Sequence, residues 1–135
     1  MKILGIDYGR AKVGLAIAEG DFAEPWKVIR VKSFEDAIEK VSSAFAEASA
    51  DKQVDKVVVG ISEGEMGEES KKFAETLHSS LFALPFEFFD ETLTSQDAQK
   101  LSREAGMSRK KARGMEDAFA ASIMLQNYLE SGKRT

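Results

Sequence analysis

The sequence contains no cysteine, one histidine and only two prolines among its 135 residues. The lack of cysteine excludes disulfides, thiolate catalysis and any cysteine-based zinc site. No run of 18 apolar residues occurs, so we expect no membrane-spanning segment. Residues 1–7 do not resemble a signal peptide, because their apolar run is short and ends in an acid. Together these absences predict a cytoplasmic protein.

The composition is that of a single small domain. Hydrophobic residues make up 43% of the chain, which is enough for one core. We find no internal repeat and no low-complexity linker, and therefore expect one domain over residues 1–135. The formal net charge of −4 gives no general indication of a nucleic-acid partner, since phosphate binding is mainly electrostatic. A basic cluster at Arg109-Lys110-Lys111-Ala112-Arg113 nevertheless predicts a local basic patch.

The apolar patterns predict strands and helices in the order βββαβαβαα. A meander followed by βα units favours a mixed sheet with helices on its faces, with ligand sites at the carboxyl ends of its parallel strands. Both prolines are expected at strand entrances. The predicted strands are Lys2–Tyr8, Val13–Ala18, Trp26–Lys32, Lys56–Ile61 and Phe86–Asp90. The predicted helices follow the N-cap Ser33, span Glu68–Phe82, run from Thr94 to about Gly106, and span Met115–Leu129.

Asp7 is an unusual residue to find in a strand, where aspartate is depleted. Period-two alternation places it on the same face as Ile3 and Gly5. A carboxylate at the end of a central strand must be hydrogen-bonded, paired or metal-bound. The alternative is a side chain that caps the turn at Gly9. The strand pattern alone leaves both interpretations open.

Two further positions could supply carboxylates to the same edge. Asp90 and Glu91 close the strand that begins at Phe86, and Asp117 is predicted in the first turn of the last helix. Each acid has an ordinary alternative role, at a strand end or near a helix N-terminus. Three carboxylates that converge at one edge would instead suit a hard divalent cation such as Mg²⁺. Such ions stabilise the attacking and leaving oxygens in phosphodiester cleavage.

The motifs together resemble the YqgF/RuvX family, which is related to the RuvC-type Holliday-junction resolvases. The resemblance extends over almost the whole chain. Its segments are Gly5-Ile6-Asp7-Tyr8-Gly9, Gly14-Leu15-Ala16, Val58-Val59-Gly60, Phe89-Asp90-Glu91-Thr92-Leu93-Thr94-Ser95, Asp117-Ala118-Phe119-Ala120-Ala121 and Leu125-Gln126-Asn127-Tyr128-Leu129.

The resemblance implies an RNase H-like α/β fold, with a mixed five-stranded sheet and helices on both faces. It implies a metal-dependent nuclease that processes the 5′ end of pre-16S rRNA during ribosome biogenesis. By position, Asp7, Glu91 and Asp117 would be the catalytic acids and would hold Mg²⁺ or Mn²⁺. The partner would be pre-rRNA or another structured RNA or DNA, bound by a monomer or homodimer. The residues implied in nucleic-acid contact are Gly9, Lys12, Arg109, Lys110 and Lys111.

Two departures from the family pattern bear on activity. Thr92 stands where the family usually has an arginine, and Ala11 stands where a basic residue is common. These departures leave open the alternative that the protein is a non-catalytic member of the family, which binds structured nucleic acid or a protein partner. A Holliday-junction resolvase is the other alternative. An actin-like ATPase is disfavoured, because that class needs two such domains and a longer chain.

Overall fold

The computed structural model describes residues 1–61, 64–81, 84–90 and 109–133. Within these ranges, no helix is both long and apolar enough to cross a membrane. The helix predicted from Thr94 to about Gly106 lies outside the described residues. The strands are β1 (Lys2–Asp7), β2 (Lys12–Glu19), β3 (Phe22–Arg30), β4 (Lys56–Ile61) and β5 (Phe86–Asp90). The helices are α1 (Phe34–Ala48), α2 (Glu65–Ser80) and α3 (Arg109–Lys133).

The five strands form one mixed sheet in the order β3-β2-β1-β4-β5. The three strands β1, β2 and β3 are antiparallel neighbours, whereas β1, β4 and β5 run parallel. The predicted mixed five-stranded sheet is therefore confirmed. The carboxyl ends of β1, β4 and β5 meet at one side of the sheet, which we call the carboxyl edge. It is marked by the register row Asp7, Gly60 and Phe89.

Each face of the sheet has its own helices and its own core. Leu4 and Ile6 belong to a large cluster that includes Val41 of α1 and Phe73 and Leu77 of α2. On the opposite face, the buried side chains of β1, β2 and β4 meet α3; this cluster consists of Ile3, Ala16, Ala18, Val58, Ala121, Met124 and Leu125. The alternation predicted for β1 and the placement of helices on both faces are thus confirmed.

Helix α3 packs closely and runs antiparallel to β1. A Cβ atom at Gly5 would lie 3.1 Å from Cδ2 of Leu125, so the helix approaches the strand at short range. One residue later, the Gln126 side chain accepts a 2.8 Å hydrogen bond from the amide of Ala23, beside the β2–β3 hairpin. That hairpin lies near the start of β1, because Glu19 pairs with Lys2. The beginning of α3 therefore lies toward the carboxyl edge.

Two local predictions have different outcomes. Ser33 is the N-cap of α1, and its hydroxyl accepts a 3.0 Å hydrogen bond from the amide of Asp36. Pro25 does not stand at a strand entrance, because β3 begins at Phe22. The proline is tolerated inside β3 since that strand is at the edge of the sheet and pairs irregularly here. A proline has no amide hydrogen to donate and is found at edges and bulges.

The start of α3 also differs from the prediction. The helix begins at Arg109 rather than Met115, so the basic segment is its first turn and not a loop before it. Arginine, lysine and alanine favour helix strongly, and together they carry the helix through Gly114. Gly114 is exposed, and a Cβ atom added there would meet nothing within 4 Å.

Replacing Gly114 with alanine should stabilise the protein. Glycine inside a helix is less favourable than alanine by about 0.5–1 kcal/mol, so Gly114→Ala should raise the free energy of unfolding by that amount. Urea denaturation measures the change. Gly20→Ala is the matched control: that position is equally open, but its φ of +77° should make alanine unfavourable. No stabilisation by Gly114→Ala would contradict the helical assignment of Gly114, and stabilisation by Gly20→Ala would contradict the positive φ of Gly20.

Candidate carboxylate site at the carboxyl edge

Asp7 is the last residue of β1 and is half-buried. In the sheet it pairs with Gly14 of β2 on one side and with Gly60 of β4 on the other. Both of these lateral neighbours are glycines, which have no side chain. Alternation from Ile3 directs this carboxylate toward the face that α3 covers.

Asp117 is brought to the same place by its backbone. A Cβ atom at Gly14 would lie 2.0 Å from the Asp117 carbonyl oxygen and 2.9 Å from the amide nitrogen of Ala118. The third turn of α3 therefore rests directly on Gly14. Because directly opposed residues of an antiparallel pair share a face, α3 passes Gly14 on the side of the Asp7 carboxylate. Asp7 and Asp117 are thus neighbours across one register position.

The position of Asp117 within α3 bears on its role. Counted from Arg109, it is the ninth residue of the helix, not a first-turn residue as predicted. A carboxylate interacts favourably with the helix dipole only within the first turn. The alternative of an acid placed to stabilise the helix start therefore loses its basis. Asp117 is half-buried, whereas its neighbour Glu116 is exposed.

Glu91, the third predicted acid, lies outside the described residues. Asp90 precedes it and ends β5 at the carboxyl edge, paired with Ile61 of β4. In the parts of the chain that the structure describes, no three acids or histidines come together as a metal-binding group. Asp7 and Asp117 are the members of the predicted set that the structure brings together.

Gly9 and Lys12 form the tight turn between β1 and β2. A Cβ atom at Gly9 would lie 2.7 Å from the Lys12 carbonyl oxygen, so the turn has no room for a side chain there. Lys12 begins β2, two residues before Gly14, and alternation therefore places both on the α3 face. Lys12 is consequently on the same face as Asp7.

Arg30 is a basic residue of this edge that the sequence analysis did not select. It ends β3 and pairs directly with Lys12 across the ladder, so the two cations share the α3 face. Two like charges at opposed positions repel each other unless an anion lies between them. The hairpin register, combined with alternation, was the signal that would have identified Arg30.

The segment Arg109, Lys110 and Lys111 forms the first turn of α3. With a rise of about 1.5 Å per residue, its backbone lies about 9–12 Å along the helix axis from Asp117. Since α3 runs from the carboxyl edge toward the β2–β3 hairpin, this turn extends past the edge on the side of Asp7. The basic segment thus begins the helix that carries Asp117.

Solved structures with a similar fold include Holliday-junction resolvases. RuvC of Thermus thermophilus, in complex with a Holliday junction substrate, matches with a TM-score of 0.62 at 14% identity, covering 98% of this chain and 96% of that chain. The fowlpox virus Holliday junction resolvase matches with a TM-score of 0.63 at 14% identity, covering 97% and 99%. The fold is therefore the RNase H-like fold of the RuvC-type resolvases, as predicted.

The sequence itself is more specific than the fold. The RuvX family, described as Holliday junction resolvase, matches residues 1–131, and the chain belongs to this family. A protein of Anaeromyxobacter sp. (strain K), named "Putative pre-16S rRNA nuclease", is 35% identical over 96% of this chain and 97% of its own. One of Leuconostoc mesenteroides with the same name is 37% identical over 100% and 99%. The predicted family is confirmed, and it places the chain in the class of nucleases.

The contact at Gly14 predicts that a side chain at this position would destabilise the protein. In Gly14→Ala, the new methyl group would overlap the Asp117 backbone, so α3 must shift, and the free energy of unfolding should fall by about 1–3 kcal/mol or more. Gly5→Ala is the matched control, because its methyl group would lie no closer than 3.1 Å to the Leu125 side chain and the loss should be smaller. Equal losses in the two variants, measured by urea denaturation, would contradict the close packing of Asp117 on Gly14.

Proposed function

We propose that this protein is a divalent-cation-dependent nuclease that processes the 5′ end of pre-16S rRNA. The observation that carries the proposal is the contact of the Asp117 backbone with Gly14, the register partner of Asp7. It supports the convergence of these two half-buried acids at the edge where ligands usually bind in sheets of this kind. The cytoplasmic location expected from the sequence is part of the same proposal.

The donor set fits a hard divalent cation. Asp7 and Asp117 offer carboxylate oxygens, which Mg²⁺ and Mn²⁺ prefer. Glu91 directly follows Asp90, the last residue of β5 at this edge, and we assign it as the third ligand by its place in the chain. A cation held by these residues would neutralise charge on the scissile phosphate and activate water for attack.

The other residues of the edge would hold and orient the nucleic acid. Lys12 and Arg30 lie opposite each other on the α3 face and can share one phosphate between two cations. Arg109, Lys110 and Lys111, in the first turn of α3, would add further positive charge. Gly9, which allows the tight turn, would let the backbone there come close to the nucleic acid.

The substrate assignment comes from the relatives. The two named above are similar to this chain along nearly their whole length, so no additional domain in them accounts for their name. Cleavage of a four-way DNA junction is the competing activity, and a non-catalytic role is the third outcome to be tested. Junction resolution would require a homodimer, whereas trimming of an RNA end could be performed by a monomer.

The proposal is tested by a cleavage panel in Mn²⁺ with precursor 16S rRNA and a four-way DNA junction. Asp7→Asn should lower the rate of RNA cleavage by more than about 100-fold, since loss of a mere supporting partner of a metal ligand already costs about 10–100-fold. EDTA should stop the reaction without unfolding the protein.

Asp117→Asn and Glu116→Gln form a matched pair on adjacent residues of α3. Both changes remove one negative charge, but only Asp117 rests beside Asp7, so only Asp117→Asn should abolish cleavage. Preferred cleavage of the DNA junction would replace rRNA processing with junction resolution. Cleavage that survives EDTA or Asp7→Asn would reject the metal site, and no cleavage of either substrate would favour the non-catalytic role.

A further inference from the structure

A cleft of about 420 Å³ opens on the face of the sheet opposite to Asp7 and Asp117. It lies beside the carboxyl edge, because Tyr8 and Arg10 follow Asp7 directly in the chain. Alternation directs the side chains of Asp7 and Tyr8 to opposite faces of the sheet. The described residues that line the cleft are Tyr8, Arg10, Lys32, Ser33, Phe34, Glu69 and Lys72.

One part of the cleft is aromatic, and its rings pack against Phe73. The rings of Tyr8 and Phe73 are stacked with centroids 4.5 Å apart, and the Phe34 ring meets Phe73 edge-on at 6.3 Å. Phe34 itself is half-buried. The Lys72 ammonium lies 5.5 Å from the centroid of the Phe34 ring. An aromatic ring with an adjacent cation is the combination that binds an unpaired base and its phosphate.

The other part of the cleft contains a charged pair. The Arg10 guanidinium donates hydrogen bonds of 2.7–3.1 Å to both carboxylate oxygens of Glu69. Those hydrogen bonds hold the pKa of Glu69 below its ordinary value, so the carboxylate is ionised at neutral pH. The Arg10 side chain is 63% exposed, and such exposed pairs contribute little to stability. A phosphate can therefore compete with Glu69 for Arg10.

Positive charge exceeds negative charge among the lining residues. Arg10, Lys32 and Lys72 are cationic, and Glu69 is the one carboxylate among the described residues that line the cleft. Glu65 lies outside the lining at 3.9 Å from Arg10. Burial raises the pKa of the Tyr8 phenol, and the charges of Glu69 and Glu35 raise it further. The acids limit affinity for an anion, and Glu69 is the one in direct competition.

We propose that this cleft binds an unpaired nucleotide of the substrate strand next to the scissile phosphodiester. The base lies against Phe34, the phosphate contacts Arg10, Lys32 and Lys72, and Glu69 competes with it for Arg10. A nucleic-acid strand that crosses the carboxyl edge at Asp7 would pass directly from the carboxylates to the cleft, because Tyr8, which lines the cleft, is the next residue after Asp7. The inference rests on the proposed nuclease function, but it concerns binding and not cleavage.

A matched pair of glutamates tests the competition with Glu69. Glu69→Gln removes the carboxylate that holds Arg10, whereas Glu68→Gln makes the same charge change at an exposed residue of α2 outside the cleft. Affinity is measured by the anisotropy of a fluorescent single-stranded RNA oligonucleotide, in EDTA to prevent cleavage. Glu69→Gln should tighten binding by about 3-fold, and Glu68→Gln should leave it unchanged. Equal effects of the two variants would overturn the competition.

Two pairs of lysines test the phosphate contacts. Lys32→Gln with Lys72→Gln removes two cations of the cleft, and Lys52→Gln with Lys71→Gln removes two exposed lysines outside it. For single strands the slope of log affinity against log salt changes by about 0.7 per neutralised phosphate, and Lys32 and Lys72 share one phosphate, so the first pair should flatten the slope by about 0.7. The control pair should leave the slope unchanged. The same slope in both double variants would overturn the assignment of phosphate to the cleft.

The stacked base is tested by fluorescence. The chain has one tryptophan, Trp26, which lines a separate depression with Lys2 and Glu19 near the start of β1. In a Phe34→Trp, Trp26→Phe variant the new indole should be quenched by the oligonucleotide, whereas Trp26 in the unaltered protein should not. An indole that stays unquenched in the double variant would overturn the base contact. If this variant does not fold, the surface lysine and glutamate variants still test whether the cleft binds the oligonucleotide.

These measurements separate the inference from the proposed function. If the cleft variants bind like their controls while Asp7-dependent cleavage persists, the inference fails and the nuclease assignment stands. If the cleft variants behave as expected but no cleavage is found in Mn²⁺, the nucleotide site stands and the nuclease assignment fails.

Discussion

The close contact between the Asp117 backbone and Gly14 is the constraint on which the proposed site depends. A helix can approach a strand this closely only where the strand has no side chain. The α3 face of the sheet is built for such an approach, with Gly5 and Gly14 at the contacts and small buried alanines, Ala16 and Ala18, beside them. Hydrophobic burial holds α3 on the sheet, but the glycine sets the register that places Asp117 beside Asp7.

The end of β1 has different chemistry on its two faces. Asp7 is directed toward α3, where Lys12 and Arg30 lie on the same face. Tyr8 is buried toward the face that α1 and α2 cover, where it meets Phe73. The alternation of a single strand thus separates a carboxylate site, suited to a cation and a phosphate, from an aromatic and basic cleft, suited to a base. One strand of nucleic acid could contact both across the thin edge of the sheet.

The sequence predicted the features that depend on local pattern. Alternation in β1 gave the correct shared face for Ile3, Gly5 and Asp7, and Ser33 was correctly identified as an N-cap. It placed the start of α3 at Met115, whereas the strong helix formers that precede Gly114 carry the helix back to Arg109. Arg30 and the Phe34 cleft were missed because they depend on strand register and on packing between distant segments. Glu91 remains a prediction, since it lies outside the described residues.

In the proposed site, Asp7 and Asp117 together hold a divalent cation. The most direct test is anomalous X-ray diffraction from crystals soaked in Mn²⁺, at the concentration that supports cleavage. The expected result is an anomalous peak at about 2.0–2.2 Å from carboxylate oxygens of both residues, which is lost in Asp7→Asn. An anomalous peak at another position would contradict a cation site formed by Asp7 and Asp117. The absence of a peak between these two carboxylates, in a crystal that cleaves nucleic acid, would contradict it as well.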